Sequence, residues 1–170
     1  QQQAHNEAAE RALFVAVMAE SPDGVEEAVL AGAGVDCRDE RDACGIHIAA
    51  ARGALEVLYK LVELGADVDV GDRGGNTPLH LACAGGATTV VEYLLGCAAD
   101  VGCVNAAGDT ALHLAAANGN GACVRLLLEW GADRTAKGAR NDTALERVRT
   151  ICIMHDDPKF DDTVAALAPA

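Results

Sequence analysis

An all-helical solenoid is the fold class predicted for this chain of 170 residues. Three observations predict it. Thr77 and Thr110 stand one period of 33 residues apart, and the same step reaches Thr143 going forward and Cys44 and Arg11 going back. The apolar residues keep this register: Leu13, Ile46, Leu79, Leu112 and Leu145 align, as do Val25, Leu58, Val91 and Val124. The composition is 51% hydrophobic but only 3% aromatic, so Ala, Val and Leu must fill the core. Small side chains let backbones approach closely and favour thin layers of short helices. The length suits one domain, residues 1–170, burying roughly 70% of its unfolded surface.

Each unit can be justified in order. The first, about 6–38, has a helix from about Ala8. "ESPDG" follows, in which Ser21 suits a helix cap and Pro22 a first turn, where no N–H is needed. The second, about 39–71, carries Cys44–Gly45 where the third carries Thr77–Pro78; the weaker cap and flexible start cost on the order of 1 kcal/mol. In the third, about 72–104, Thr77 caps a helix over Pro78 to Ala84 that "GGA" breaks. A second helix spans Thr88 to Leu95, with Val90, Val91, Leu94 and Leu95 at helical spacing. The turn-rich "AADVGCVNAAGD" then projects as a hairpin-like loop. Ala98 occupies the place of Gly32, Gly65 and Gly131, which should be left-handed, so Gly96 is expected to end this helix two residues early. The fourth unit, about 105–137, repeats "GNTPLHLA" as "GDTALHLA", and Trp130 at its end is expected to pack on the last repeat. The fifth, about 138–170, has one helix from Ala144 to Ile153 and another from Pro158 to Leu167. Phe160, Val164 and Leu167 share a face of that helix and close the stack, with Asp157 as its cap.

A fixed period of 33 with T-P-L-H-x-A resembles the ankyrin repeat. The resemblance runs over about residues 8–150, with the last 20 as a modified cap. One such unit cannot bury its own apolar faces, whereas about five stacked helix-turn-helix units share one continuous core. The resemblance implies that His47, His80 and His113, which share one phase, bond loop backbone and tie adjacent repeats. A catalytic group is needed once, so a residue that recurs with the fold is read as structural. Phe14 and Glu146 replace it in the end units.

No enzymatic constellation, cofactor motif or metal motif is expected. Cys44 and His47 could face each other as nucleophile and base, but His47 belongs to the repeat set. Asp156, Asp157, Asp161 and Asp162, with His155 beside them, could hold a hard cation, yet the spacing is not that of a calcium loop. The seven cysteines include no C-x-x-C pair, which signals neither disulfides nor zinc and implies a reducing intracellular compartment, cytoplasm or nucleus, or an organelle if a targeting segment was removed. A net charge of −13 disfavours nucleic acid and anionic membranes, and no apolar run is long enough to insert. The opening QQQ suggests a fragment of a longer protein.

Function is therefore expected at the surface. In proteins that this sequence resembles, partners bind the loop tips and the exposed face of the first helices. By phase this gives Arg41, Arg52, Arg73, Asn76, Asp109, Asn118, Lys137 and Arg140 as partner-binding residues. Seven of the thirteen basic residues fall on or near this face, adding Arg38 and Arg134 to those named, over a floor of Ala and Gly. The expected partner is another protein, offering an acidic or polar segment to these arginines. Asp39, Asp42, Asp72, Asp109 and Asp142 alternate with them and could simply pair with them. The chain is thus read as an adaptor, inhibitor or targeting module; the alternative is a structural spacer within a longer chain.

Overall fold

The computed structural model describes residues 1–169. Ten helices are described, in five antiparallel pairs: α1 (Gln2–Met18) with α2 (Pro22–Leu30), α3 (Gly45–Arg52) with α4 (Leu55–Glu63), α5 (Pro78–Gly85) with α6 (Thr88–Gly96), α7 (Ala111–Ala117) with α8 (Gly121–Glu129), and α9 (Ala144–Met154) with α10 (Lys159–Leu167). Odd-numbered helices stack in one layer and even-numbered helices in another. The helix α1 begins at Gln2, ahead of the start near Ala8 expected from the sequence and well ahead of Ala12, the position in phase with Gly45, Pro78, Ala111 and Ala144.

The period follows from local chemistry repeated at each helix start. Thr77 Oγ1 accepts the His80 N–H at 3.4 Å, and Pro78 fills the first turn. Ser21 does the same for α2 through Gly24 N–H at 3.1 Å. Cys44 departs from this pattern. Its thiol donates to the Asp36 carbonyl at 3.3 Å, while its N–H still donates to His47 Nδ1 at 3.0 Å. Gly45 is buried, and a Cβ there would meet Val17 at 3.3 Å, so packing accounts for the glycine as well as chain flexibility.

The core is continuous and made of small residues. Leu13, Ile46, Leu79 and Leu112 are essentially inaccessible, and Ala49, Ala82 and Ala115 lie between them. Phe160 on α10 is the aromatic residue of this core among the described residues, closing the last layer with Leu167. Asp157 caps that helix start by accepting the Lys159 N–H at 3.1 Å.

The imidazoles of His80 and His113 hold successive units together. His80 Nδ1 accepts the Thr77 N–H at 3.1 Å and lies 2.8 Å from the Thr77 hydroxyl. Its Nε2–H donates to the Asp109 carbonyl of the next loop at 3.0 Å. His113 repeats the set with Thr110 and the Asp142 carbonyl, while His47 reaches the Val70 carbonyl at 2.8 Å. The His80 partners favour neutral imidazole, since a proton on Nδ1 would meet the Thr77 N–H that Nδ1 now accepts. Burial also pushes the His80 pKa below its ordinary 6.5.

One expectation needs correction. Gly96 does not end α6 early; it is the last helical residue, in phase with Leu30, Glu63 and Glu129. Ala98 itself takes the left-handed conformation, φ +63°, beside Gly32, Gly65 and Gly131 at +108°, +96° and +87°. Burying Ala99 and continuing the stack force this conformation on a residue with a Cβ.

Ala98→Gly should stabilise the chain. It removes ~1–2 kcal/mol of left-handed strain and gives back part of that as unfolded-chain entropy, for a net gain of about 0.5–1 kcal/mol. Thermal melting should rise by about 1–4 °C; a fall would show that the site is not strained. A second expectation concerns pH. Because the folded pKa of His80 is depressed, its contribution is fully present above pH 6.5 and is lost as pH falls through and below that value. Urea midpoints measured from pH 7.5 to 5 should decline for the native chain and flatten in His80→Gln.

Candidate functional site

Four loops project from the helix layers, and their tips share one construction. In each, a hydrogen bond spans the neck: Asp39 N–H to Ala43 O, Asp72 N–H to Asn76 O, Asn105 N–H to Asp109 O, and Gly138 N–H to Asp142 O, at 2.8–3.0 Å. The residue three after the neck donor has positive φ in every case: Asp42, Gly75, Gly108 and Asn141. Asp39, Asp72 and Asn105 each use Oδ1 to accept two tip N–H groups at 2.8–3.1 Å. Adjacent tips are tied by Ala106 N–H to Gly74 O and by Asn105 Nδ2 to Asn76 Oδ1, both 2.9 Å. A Cβ on Gly75 would approach Ala106 N to 2.8 Å, so the second and third loops touch through backbone.

This construction decides which charges are free. The carboxylates of Asp39 and Asp72 are committed to their own turns, and Asp42 pairs with Arg38 at 3.3 Å. Arg41, Arg73 and Arg140 are exposed, and their guanidinium groups meet no hydrogen-bonding or ionic partner among the described residues. The other basic residues named from sequence are engaged. Arg52 pairs with Glu20 at 3.1 Å, and Lys137 pairs with Glu146 at 2.8 Å. Arg38 also donates to Gly71 O, and Arg134 turns away to the carbonyls of Leu167 and Ala168. Asn118 is exposed but donates to Leu114 O at 2.8 Å, and Asn76 serves the inter-loop bond.

Asp109 has to be corrected. It is buried, at 8% exposure, and offers no free carboxylate to a partner. Its Oδ1 accepts Ala139 N–H at 2.8 Å and its Oδ2 meets Arg147 at 2.8 Å. Arg147 also grips Asp142 through two bonds of 3.0 and 2.7 Å. Burial works against the Asp109 charge, but the Arg147 hydrogen bond and the Ala139 N–H outweigh it and hold the carboxyl below its ordinary range. The Arg147 hydrogen bond does the same for Asp142. Gly138 is explained by this cluster: a Cβ there would collide with Asp109, Arg147 and His113. Glu146 takes the histidine's place in the local bond to Thr143 N–H, at 2.6 Å. Lys137 and that N–H draw its carboxyl down to about 2.

Between the tips and the first helices runs a groove. Its floor includes a row one residue past the histidine phase: Val15, Ile48, Leu81 and Leu114, with the last three half-buried. Beside it lie Met18, Ala51, Ala84 and Ala117. The sequence reading took the floor as Ala and Gly and missed the aliphatic row. Stepping 33 residues from each position after the histidine would have found it, and would also have placed Arg147 there. At α1 a cleft of about 680 Å³ lies against Phe14, Val15, Met18 and Ile48.

Other candidate chemistry does not assemble. The Cys44 thiol is directed at a carbonyl, and burial raises its pKa, so it is not set against His47 as a nucleophile. A hydrogen bond with Cys123 and burial push the Cys83 thiol well above its ordinary value. Asp157 pairs with Lys159 and Asp162 with Arg125, and among the described residues no cluster of three His, Cys, Asp or Glu is arranged to hold a metal. Trp130 stands at the C-cap of α8 and is half-exposed. Among the described residues no helix is long and apolar enough to cross a membrane.

A family model described as Ankyrin repeats (3 copies) matches residues 13–105 and 89–147, most of the chain. A search of curated proteins finds no match to it.

The Arg147 cluster leads to a stability expectation. Arg147→Ala leaves two carboxylates buried without their cation and should cost about 3–5 kcal/mol. The loss should fall on the last unit, so that fluorescence of Trp130 and far-UV dichroism cease to melt together. Coincident, unshifted transitions would show that the cluster contributes little.

Proposed function

The chain belongs to the ankyrin-repeat family, and from that footing we propose that it binds a segment of another protein in the groove between its loop tips and first helices. Ankyrin repeats are in general protein–protein interaction modules. The observation that carries the reading here is the pairing of an aliphatic floor with a rim of uncommitted arginines. Val15, Ile48, Leu81 and Leu114 offer apolar area along the length of the stack, and Arg41, Arg73 and Arg140 stand beside it. Three guanidinium groups on one edge, without an ionic partner among the described residues, favour an acidic or polar segment at that edge, locally and against the chain's net charge of −13. Arginine supports this use because its planar fork donates to a carboxylate through two bonds. The contact residues proposed are Arg41, Arg73 and Arg140, with Arg52, Asn118 and Lys137 at the margins and Asn76 holding the tips in register.

The mechanism is presentation on a rigid frame. The tip aspartates and the inter-loop bonds fix the arginines' backbone before a partner arrives, so little ordering entropy is lost on binding. Adaptor, inhibitor and targeting roles all use this same contact.

A pull-down from the source cell at low and moderate salt tests the proposal, with the native chain beside Arg41→Glu/Arg73→Glu/Arg140→Glu. The native chain should capture a protein that the triple variant loses, and capture should weaken with salt. Equal capture by both baits would place the contact on another face. Capture by neither would favour the spacer reading.

A further inference from the structure

The two ends of the groove are chemically different. Along most of it, the residues facing solvent beside the aliphatic row are Ala51, Ala84 and Ala117, and the row itself is half-buried. At α1 the same two phases carry Val15 and Met18, exposed at 68% and 53%, and Phe14 replaces the histidine. These side chains and Ile48 form the apolar wall of the 680 Å³ cleft, a volume sufficient for one large side chain and its flanking backbone. Glu7, Glu10 and Arg11 stand on the α1 wall, and Arg38, Asp39, Glu40 and Arg41 on the tip wall. Beyond the cleft, toward the later repeats, the rim carries Arg73 and Arg140 without counter-ions among the described residues.

We propose that this cleft anchors one large apolar side chain of the partner segment, and that the segment's acidic residues lie on one side of that anchor only, over Arg73 and Arg140. This rests on the reading of the groove as the binding face and specifies the partner's chemistry. The anchor itself is uncharged because the surface that would bury it, Phe14, Val15, Met18 and Ile48, is apolar, while the charges around it are mixed, with Glu7, Glu10, Asp39 and Glu40 set against Arg11, Arg38 and Arg41. A second copy of this chain is disfavoured as the occupant, since it would bring −13 against −13 with these glutamates at the contact. Spacing follows from geometry. Neighbouring helices lie about 8–10 Å apart, and an extended chain advances about 3.3–3.6 Å per residue. Successive tips therefore meet every third residue or so of the segment. The third tip, Ala106–Ala107, is uncharged, so the acids fall opposite Arg73 and then opposite Arg140, about two repeats further on.

The test is selection of peptides from a random 12-residue display library on the immobilised chain, repeated on Met18→Glu, Val15→Asp and Arg73→Glu/Arg140→Glu. The first two sites are exposed, and melting curves confirm that each variant is folded. Enriched peptides should carry one Leu, Ile, Met or Phe followed on one side by acidic residues. Their synthetic forms should lose roughly tenfold or more in affinity on Met18→Glu and on Val15→Asp. On the arginine variant they should lose affinity together with its salt dependence. Peptides that are basic, or that bind Met18→Glu and Val15→Asp as well as the native chain, overturn the anchor while leaving the groove as a binding face. No enrichment on any bait overturns both readings. Sedimentation showing a dimer that Met18→Glu dissolves would assign the cleft to self-association and overturn the proposal.

Discussion

The bond on which the rest of the structure depends is the one from an imidazole to the loop of the following unit. A helix pair of this size has neither the length nor the apolar area to stand alone. What makes neighbouring pairs one body is shared burial, and what fixes their register is a directional contact. His80 and His113 supply it by facing two ways at once. Nδ1 completes the cap of their own helix, and Nε2 takes a carbonyl of the next loop. A single tautomer satisfies both, so cap, helix start and loop position are set by one side chain. At the last unit, where no further loop is described to receive a bond, Glu146 keeps the local half of this role through Thr143 and exchanges the other half for an ion pair with Lys137.

The legible part of the fold was whatever recurs. Threonine phase, apolar register and the histidine row repeat every 33 residues, and a feature seen several times can be read without knowing its contacts. What proved illegible was singular. Ala98 was expected to be avoided by an earlier helix stop at Gly96; the helix instead runs to its periodic end, and the alanine takes the left-handed turn. The stacking of Ala99 and its neighbours outweighs one residue's backbone preference. Asp109 was read as a surface group because its phase is that of a loop tip. Only the fold brings Arg147 from the last unit against it, 38 positions along the chain. Such a pair leaves no periodic trace.

The candidate site shows the same division. Arg41, Arg73 and Arg140 were readable as tip residues, but whether they were free was not, because five aspartates alternate with them. The answer lies in backbone geometry. A tight turn leaves N–H groups without intraloop acceptors, and a side-chain oxygen on the first residue of the turn is the nearest acceptor. Asp39 and Asp72 are consumed in this way, Asp42 by Arg38, and Asp109 and Asp142 by Arg147. The tip aspartates are thus directed at backbone N–H groups or at Arg38 and Arg147 rather than at Arg41, Arg73 and Arg140. These arginines keep their donors open on an edge of mixed charge, where Asp39, Glu40 and Asp72 carry negative charge beside them.

The groove inherits its asymmetry from the stack. An interior unit is covered on both sides, and its first helix shows solvent only the narrow strip that its neighbours leave. Small residues suffice there, and an aliphatic side chain in the row is half-covered by the units beside it. The helix α1 is flanked on one side only by another unit among the described residues, and it is 17 residues long against 8 for α3. Its extra turns bring Glu7 and Glu10 to the cleft, and the helix leaves Val15 and Met18 open where later units show half-buried Ile or Leu and Ala. Exposing Val15 and Met18 gains nothing for folding, because neither is withdrawn from water. Their apolar surface can be stabilised only by something that covers it. The same positions in α3, α5 and α7 are already satisfied by the fold, which is why recognition by apolar contact concentrates at one end of the solenoid and recognition by charge runs along the rest.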